Sequence, residues 1–190
     1  MSLQTEELWQ GYNNQGEQTA AITKKDARLG ALHGASHVWI WRRTESSIEV
    51  LLQRRAGDKA TWANHLDISA AGHIDSGETP LRAASRETEE ELGLAVDGIR
   101  LELVGVHRAN LEAAISGQKI MENEFQFVYL LELREDDNPV QLLDGEVSAT
   151  YWLGMQDFKR LIDGESDDSI VPHGHSYFSI LIDALNRAAS

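Results

Sequence analysis

The chain has 190 residues, 42% of them hydrophobic and 25% charged, a make-up that supplies one full apolar core and fits a water-soluble globular protein. Its formal net charge is −14, from 31 acidic and 17 basic side chains, so most of the surface repels a nucleic-acid backbone and a long polyanion is excluded as a partner. The absence of cysteine removes disulfides, thiolate ligands and cysteine nucleophiles together. With no apolar run of membrane-spanning length and no charged-then-apolar leader, no membrane partner is expected and the cytoplasm is the expected location.

In chain order, Leu8 to Tyr12, the turn Asn13-Asn14-Gln15-Gly16 and Glu17 to Thr23 read as a hairpin within an N-terminal extension of residues 1–35. Val38-Trp39-Ile40-Trp41 and Ile48 to Gln53 read as strands around a polar turn, which starts the core near His37 and puts both tryptophans in it. A loop from Arg55 to Asn64 leads to Leu66-Asp67-Ile68-Ser69. Pro80 to Leu92 reads as a helix. Thr79 is its N-cap, Pro80 stands at the first position, where a missing N–H costs nothing, and Gly93 ends it in a left-handed conformation. Ile99 to Val106, Phe125 to Leu133 and Val147 to Leu153 have the composition of strands, and the acidic run Glu135-Asp136-Asp137 reads as a solvated turn. Met155 to Ile162 and Ser176 to Ala188 carry apolar residues at helical spacing, and His173-Gly174-His175 reads as an exposed loop pair. One domain is expected over 1–190, with a core over 36–165 and a C-terminal helix within 166–190.

The chemistry concentrates on the helix at 80–92. Set at ~100° per residue from Leu81, Glu90, Glu87 and Glu91 fall at about 180°, 240° and 280°, while Leu81, Ala84, Thr88 and Leu92 gather around 0°. One stripe is expected to pack inward, and the other to form a wall of negative charge. Carboxylates crowded on one surface repel one another unless a divalent cation lies between them, and ligands that are all oxygen suit Mg²⁺ or Mn²⁺. Arg86 stands four residues before Glu90 and three before Glu89, close enough to brace the cluster, and Ala83 is expected to leave room for a solvated ion. Gly72 and Gly77 bracket a turn whose backbone can approach a ligand closely.

These residues resemble the box of the Nudix hydrolases: Gly72, five residues, Glu78, seven residues, Arg86-Glu87, an apolar position held by Thr88, any residue, Glu90-Glu91, any residue, Gly93 and Leu94. Thr88 departs mildly, since its methyl can pack where the family carries an aliphatic residue. The resemblance covers most of residues 36–165. It implies an α/β class fold, an α/β/α sandwich with a mixed sheet, a homodimeric assembly, and substrate specificity carried outside the box, here in residues 1–36, 107–121 and the C-terminal helix.

A second resemblance is to the branch of that superfamily that includes isopentenyl diphosphate isomerase and its hydrolase relatives, carried by Leu52-Gln53-Arg54-Arg55, Lys59, Trp62, Asp67-Ile68-Ser69 and Ala71-Gly72-His73-Ile74. It implies that Arg55 and Lys59 bind diphosphate, although two loop cations at a solvated surface would give the same pattern. Trp62 either stacks on the substrate or packs into the core. The isomerases' histidine and glutamate metal site is matched by His37, His73, Glu122 and Glu124; a further histidine would fall near Gly30, and His33 is an unaligned substitute. The isomerases' cysteine before the Gly-His pair is Ala71 here, and the hydrolases' acidic residues are present as Glu87 and Glu90, so hydrolysis is the expected reaction.

The expected activity is therefore pyrophosphohydrolysis, with Mg²⁺ or Mn²⁺, of a small-molecule diphosphate: a nucleoside diphosphate linked to another moiety or a similar organic diphosphate. Glu87, Glu90 and Glu91, with the carbonyl of Gly72, are the expected metal ligands, and Glu91 or else Glu124 takes the proton from the attacking water. Two alternatives stay open: a diphosphate isomerase, and a Nudix domain that binds a phosphorylated ligand without turnover.

Overall fold

A computed structural model of the chain describes residues 7–45, 47–115, 118–143 and 145–189. Residues 1–6 of the extension and residues 116 and 117 of the expected specificity region lie outside the described residues. In order the elements are β1 (Leu8–Trp9), β2 (Ile22–Thr23), α1 (Lys24–Arg28), β3 (His33–Arg43), β4 (Ile48–Arg55), β5 (Leu66–Asp67), β6 (Ala70–His73), α2 (Pro80–Leu92), β7 (Glu102–Ile115), β8 (Gln118–Glu132), β9 (Val147–Gly154), α3 (Met155–Ile162) and α4 (His175–Ala188).

Strand alternation builds the layers. Along β3, Val38 and Ile40 point to one face of the sheet and Trp39 and Trp41 to the other, all buried. The first face, with Leu51, Tyr129 and Leu131, packs on Ala84 and Leu92 of α2. The second, with Val50, Leu52, Val128 and Leu130, packs on Phe158 and Leu161 of α3 and on Tyr177, Leu181 and Leu185 of α4. Full burial of side chains such as Phe158 and Leu181 contributes on the order of 2 kcal/mol each. The sheet is mixed: the order β5-β4-β3-β8-β7 is antiparallel except for the parallel pair β3–β8, with β6 on β3 and β9 on β4. It is the expected α/β/α sandwich.

A fork in this sheet makes the functional cleft. β3 and β4 pair only at Trp41 to Arg43, and beyond that β6 takes the place of β4 beside β3, from Ala35 to Val38. Ser69 fills the crotch: its buried hydroxyl accepts from Ile40 N at 2.8 Å and donates to Leu51 O at 2.5 Å, satisfying backbone groups that the parting strands leave over. The end of β4 and the length of β6 thus stand apart with a gap between them.

Several expected boundaries move. β3 starts at His33, not near His37, because its first residues pair with β8 rather than with β4. The strand expected from Ile99 starts at Glu102, after a 3₁₀ turn Gly98–Arg100 capped by Asp97. β8 begins at Gln118, since it forms a long hairpin with β7. The expected solvated turn at 135–137 is anchored, as Asp137 accepts from Arg100 at 2.5 and 2.7 Å. No helix among the described residues is long and apolar enough to cross a membrane.

The N-terminal hairpin expected as an appendage is a strap across the core. Gln10 N donates to Ile74 O at 2.7 Å and Gly34 N to Gln10 O at 3.2 Å, which buries Trp9, Gln10 and Tyr12. Gly34 has to be glycine here, because a Cβ would lie 2.6 Å from the Tyr12 ring.

Candidate active site

The α2 helix forms with the expected signals. Thr79 Oγ1 accepts from Arg82 N at 3.3 Å, and Gly93 closes the helix with φ of 67°. Its buried residues are Ala83, Ala84, Thr88, Glu91 and Leu92. Thr88 fits an apolar slot because its hydroxyl donates to Ala84 O at 2.7 Å. Two expectations fail: Leu81 is 38% exposed, and Ala83 is packed at 0% rather than leaving space for an ion.

The three carboxylates do not form a uniform solvent-facing wall. The Glu90 side chain is 58% exposed and that of Glu87 14%, whereas Glu91 is buried, its Oε2 accepting from Ala71 N at 3.1 Å and from Gln53 Nε2 at 3.5 Å. Arg86 gathers the cluster. It donates to Glu87 at 2.6 Å, Glu90 at 3.2 Å, Glu78 at 2.9 Å and the His73 carbonyl at 3.0 Å; of the two carboxylates within helical reach it takes Glu90, not Glu89. Burial opposes charge on Arg86, but Glu78 and Glu87 outweigh it and raise its pKa. Burial raises the Glu87 carboxyl, with Arg86 pulling the other way. Gly72 makes room for this arrangement: a Cβ there would stand 2.1 Å from the Glu87 carboxyl carbon.

These groups line a cleft of about 530 Å³, together with Trp9, Lys24, Gln53, Arg55 and Lys59. The donor set fits a hard divalent cation. It is all oxygen, with Glu87 and Glu90 held by one guanidinium and Glu91 by Ala71 N and Gln53, and it grades from a buried carboxylate to an open one where a hydrated ion can enter.

The expected second metal set is corrected by strand register. His33 lies opposite Glu124, and His73 opposite Ala35, so His33, His73 and Glu124 bring ligand atoms within 4.8 Å of one another. His37 sits four residues further along β3, beside Val128 and Ala71, and Glu122 lies two residues before Glu124 on β8; both fall outside the group. Glu124 Oε1 is 3.2 Å from His33 and 3.6 Å from His73. His37 instead meets the Tyr177 hydroxyl through Nδ1 at 3.0 Å, and burial holds its pKa down to about 3, so it is neutral. Burial raises the Glu122 carboxyl.

Of the expected substrate cations, Arg55 and Lys59 line the cleft, and each has a carboxylate partner. Arg55 Nη1 donates to Asp67 at 3.0 Å, and Lys59 pairs with Glu146. Trp62, with φ of 53°, lines a second cavity of about 140 Å³ that shares Arg55, Ala71, Gly72 and His73 with the cleft. His173 is not exposed: its side chain is 10% accessible and donates from Nε2 to Asp67 at 2.8 Å.

Several participants escaped sequence reasoning. Trp9 stacks on the His73 ring at 3.5 Å and 7°, and Lys24 lies 5.8 Å from the Trp9 ring centre. The signals available were weak: a polar Gln53 inside an apolar strand, and Glu78, whose place in the box spacing already marked it.

A mixed sheet between helical layers, with an arginine-gathered carboxylate cluster on the helix that follows a glycine turn, defines a Nudix fold and site. The chain belongs to the NUDIX domain family, which matches residues 32–173. It is 34% identical over 175 residues to Nudix hydrolase 3 of Arabidopsis thaliana, covering 88% of this chain and 22% of that protein; it thus spans about a fifth of that relative's length. It is also 32% identical over 156 residues to an isopentenyl-diphosphate Delta-isomerase of Rhizobium rhizogenes, covering 80% of this chain and 70% of that protein. Among solved structures, DR0079 of Deinococcus radiodurans superposes with a TM-score of 0.62 at 20% identity, over 95% of this chain and 98% of that one, a likeness of fold.

Proposed function

We propose that the chain is a Mg²⁺- or Mn²⁺-dependent pyrophosphohydrolase that cleaves the P–O–P anhydride of a nucleoside diphosphate linked to another moiety, or of a similar small organic diphosphate. The observation that carries this is the all-oxygen set of Glu87, Glu90 and Glu91, the first two braced by Arg86, in a cleft that also holds Arg55 and Lys59. Held by those carboxylates and the Gly72 carbonyl, the metal would neutralise the diphosphate and make a bound water more acidic.

The chain's own residues do the rest. Arg55 and Lys59 bind the diphosphate oxygens and offset their charge. The oxygen of water bonds to phosphorus as the bridging P–O bond breaks, and the leaving phosphate departs with that electron pair. The proton released goes to a carboxylate. Glu91, which lines the cleft, is better placed for this than Glu124, which is buried against His33, His73 and Gln126. Trp9 covers the His73 side of the cleft and keeps bulk water from it.

The isomerase reading draws on the relatives of that name, but its proton shuttle has no thiol: Ala71 stands before Gly72-His73. The test is a panel of nucleoside diphosphate conjugates and isopentenyl diphosphate with Mg²⁺ or Mn²⁺, followed by phosphorus and proton NMR. Anhydride cleavage is expected. Double-bond migration without phosphate release would establish the isomerase instead, and binding without any turnover would leave a ligand-binding domain.

A further inference from the structure

We propose that His173 is a positioning residue that fixes the Arg55 guanidinium through Asp67, so that the corner leading into α4 sets the affinity for diphosphate. The proposal rests on the reading of Arg55 as a diphosphate ligand.

Arg55 ends β4 at the junction of the carboxylate cleft and the smaller cavity, and lines both. Two of its three nitrogens are committed: Nη1 donates to Asp67 Oδ2 at 3.0 Å and Nε to the Thr61 carbonyl at 3.3 Å. Among the described residues Nη2 has no hydrogen-bond partner, which leaves it for an anion. The direction of that free N–H is therefore set by where Asp67 holds the other end of the fork.

Asp67 is itself held from the far side. It is buried, with 7% side-chain exposure, and its Oδ1 accepts from His173 Nε2 at 2.8 Å and from Ile68 N at 2.9 Å. A carboxylate only accepts, so Nε2 of His173 carries the proton. Without that donor, a buried carboxylate oxygen loses a charged hydrogen bond, and the cheapest remedy is rotation of Asp67 toward other donors, which drags Arg55 with it. His173 is fixed in turn. Its ring lies 4.8 Å from that of Tyr177 on α4, whose hydroxyl accepts from Trp39 Nε1 at 2.9 Å, and the preceding Val171 N donates to Leu66 O at 2.9 Å beside Asp67. The family match ends at residue 173, so α4 reaches the diphosphate site through this relay rather than through the box.

The experiment is calorimetric titration of the full chain with methylenediphosphonate, a diphosphate that cannot be hydrolysed, at saturating Mg²⁺. Arg55→Ala is expected to weaken binding about tenfold, as for loss of one charged hydrogen-bonding pair. His173→Phe keeps a ring against Tyr177 and removes the donor; it is expected to weaken binding about fourfold, and His173→Ala by the same factor. His173→Gln, whose amide N–H can replace Nε2, is expected to bind like the wild type. In the Arg55→Ala background His173→Phe is expected to add nothing, because its effect runs through the missing guanidinium. Equal weakening in both backgrounds, or none in either His173 variant while Arg55→Ala weakens binding, would overturn the relay alone. Wild-type affinity for Arg55→Ala would overturn the diphosphate role of Arg55 and the relay with it.

Discussion

The two faces of the sheet carry two groups of metal-type ligands that solve the problem of crowded charge in opposite ways. On the α2 face, Glu87 and Glu90 lean on one guanidinium, Arg86, and Glu90 remains open to solvent. On the other face, Glu124 is enclosed by His33 and His73, so its acceptor positions are filled by imidazoles. The first group has donors and charge to spare for a cation. The second is largely satisfied from within, and an ion would have to displace those internal bonds. Ligand type separates them too, since a set of oxygens suits Mg²⁺ or Mn²⁺ whereas two nitrogens and one oxygen suit a later transition metal.

The sharpest way to break this contrast is Gly72→Ala. The new methyl falls on the Glu87 carboxyl, a flexible side-chain end that can swing away, so the fold should hold to within about 1 kcal/mol. Turnover should fall about a thousandfold as the cluster disperses. Melting temperature and rate, measured together, check the split, and a fast enzyme would detach Glu87 from catalysis. Glu90→Gln is next: it removes charge from the most exposed carboxylate of the three and no core volume, and a loss of about a hundredfold is expected with unchanged stability.

On the other face the expected effect is on stability. Burial raises the Glu124 carboxyl, but its bonds to His33 and His73 outweigh that and hold it well below the usual 4.5; burial lowers His33, and Glu124 more than reverses it, above 6.5. The Glu124 contribution is therefore present above pH 4.5 and lost as pH falls through its lower folded value; that of His33 is present below 6.5 and lost as pH rises through its higher folded value. Metal-free Glu124→Gln should be less stable than wild type by about 1–3 kcal/mol between those limits, with the gap narrowing on both sides. A gap that does not vary with pH in chelator-treated denaturation curves would remove the ion pair from the account. The smallest change is Lys59→Ala: its partner Glu146 is 60% exposed, so KM for the best substrate should rise less than about threefold with kcat unchanged.

The α2 face was legible because its information is local. Caps, box spacing and the arginine all lie within residues 72–94, and a helix converts spacing into proximity by fixed geometry. Even so, the depth of Glu91 was not legible, because it depends on Ala71 N across a different element. The histidine face was read with two members, His37 and Glu122, that the convergent group leaves out, and with His33 only as a substitute. His33 and His37 share a strand face, and only the register of β3 against β8 decides which of them meets Glu124. His173 and Trp9 reach the site over 106 and 64 residues of sequence, to Asp67 and His73 respectively, and no local pattern reports such closures. The two helices after β9 were legible within a residue, since their packing faces carry their own period.

The strap of residues 7–31 also fixes where this protein can be cut. The family match begins at residue 32, yet Trp9 lies against His73 and Gln10 bridges Ile74 and Gly34. A fragment begun at the homology boundary would bare the His33 and His73 rings and leave Ile74 O and Gly34 N, the two partners of Gln10, to water at the sheet's end. The unit of inheritance and the unit of folding therefore differ by one hairpin, and a swap of this domain into another protein should carry that hairpin with it.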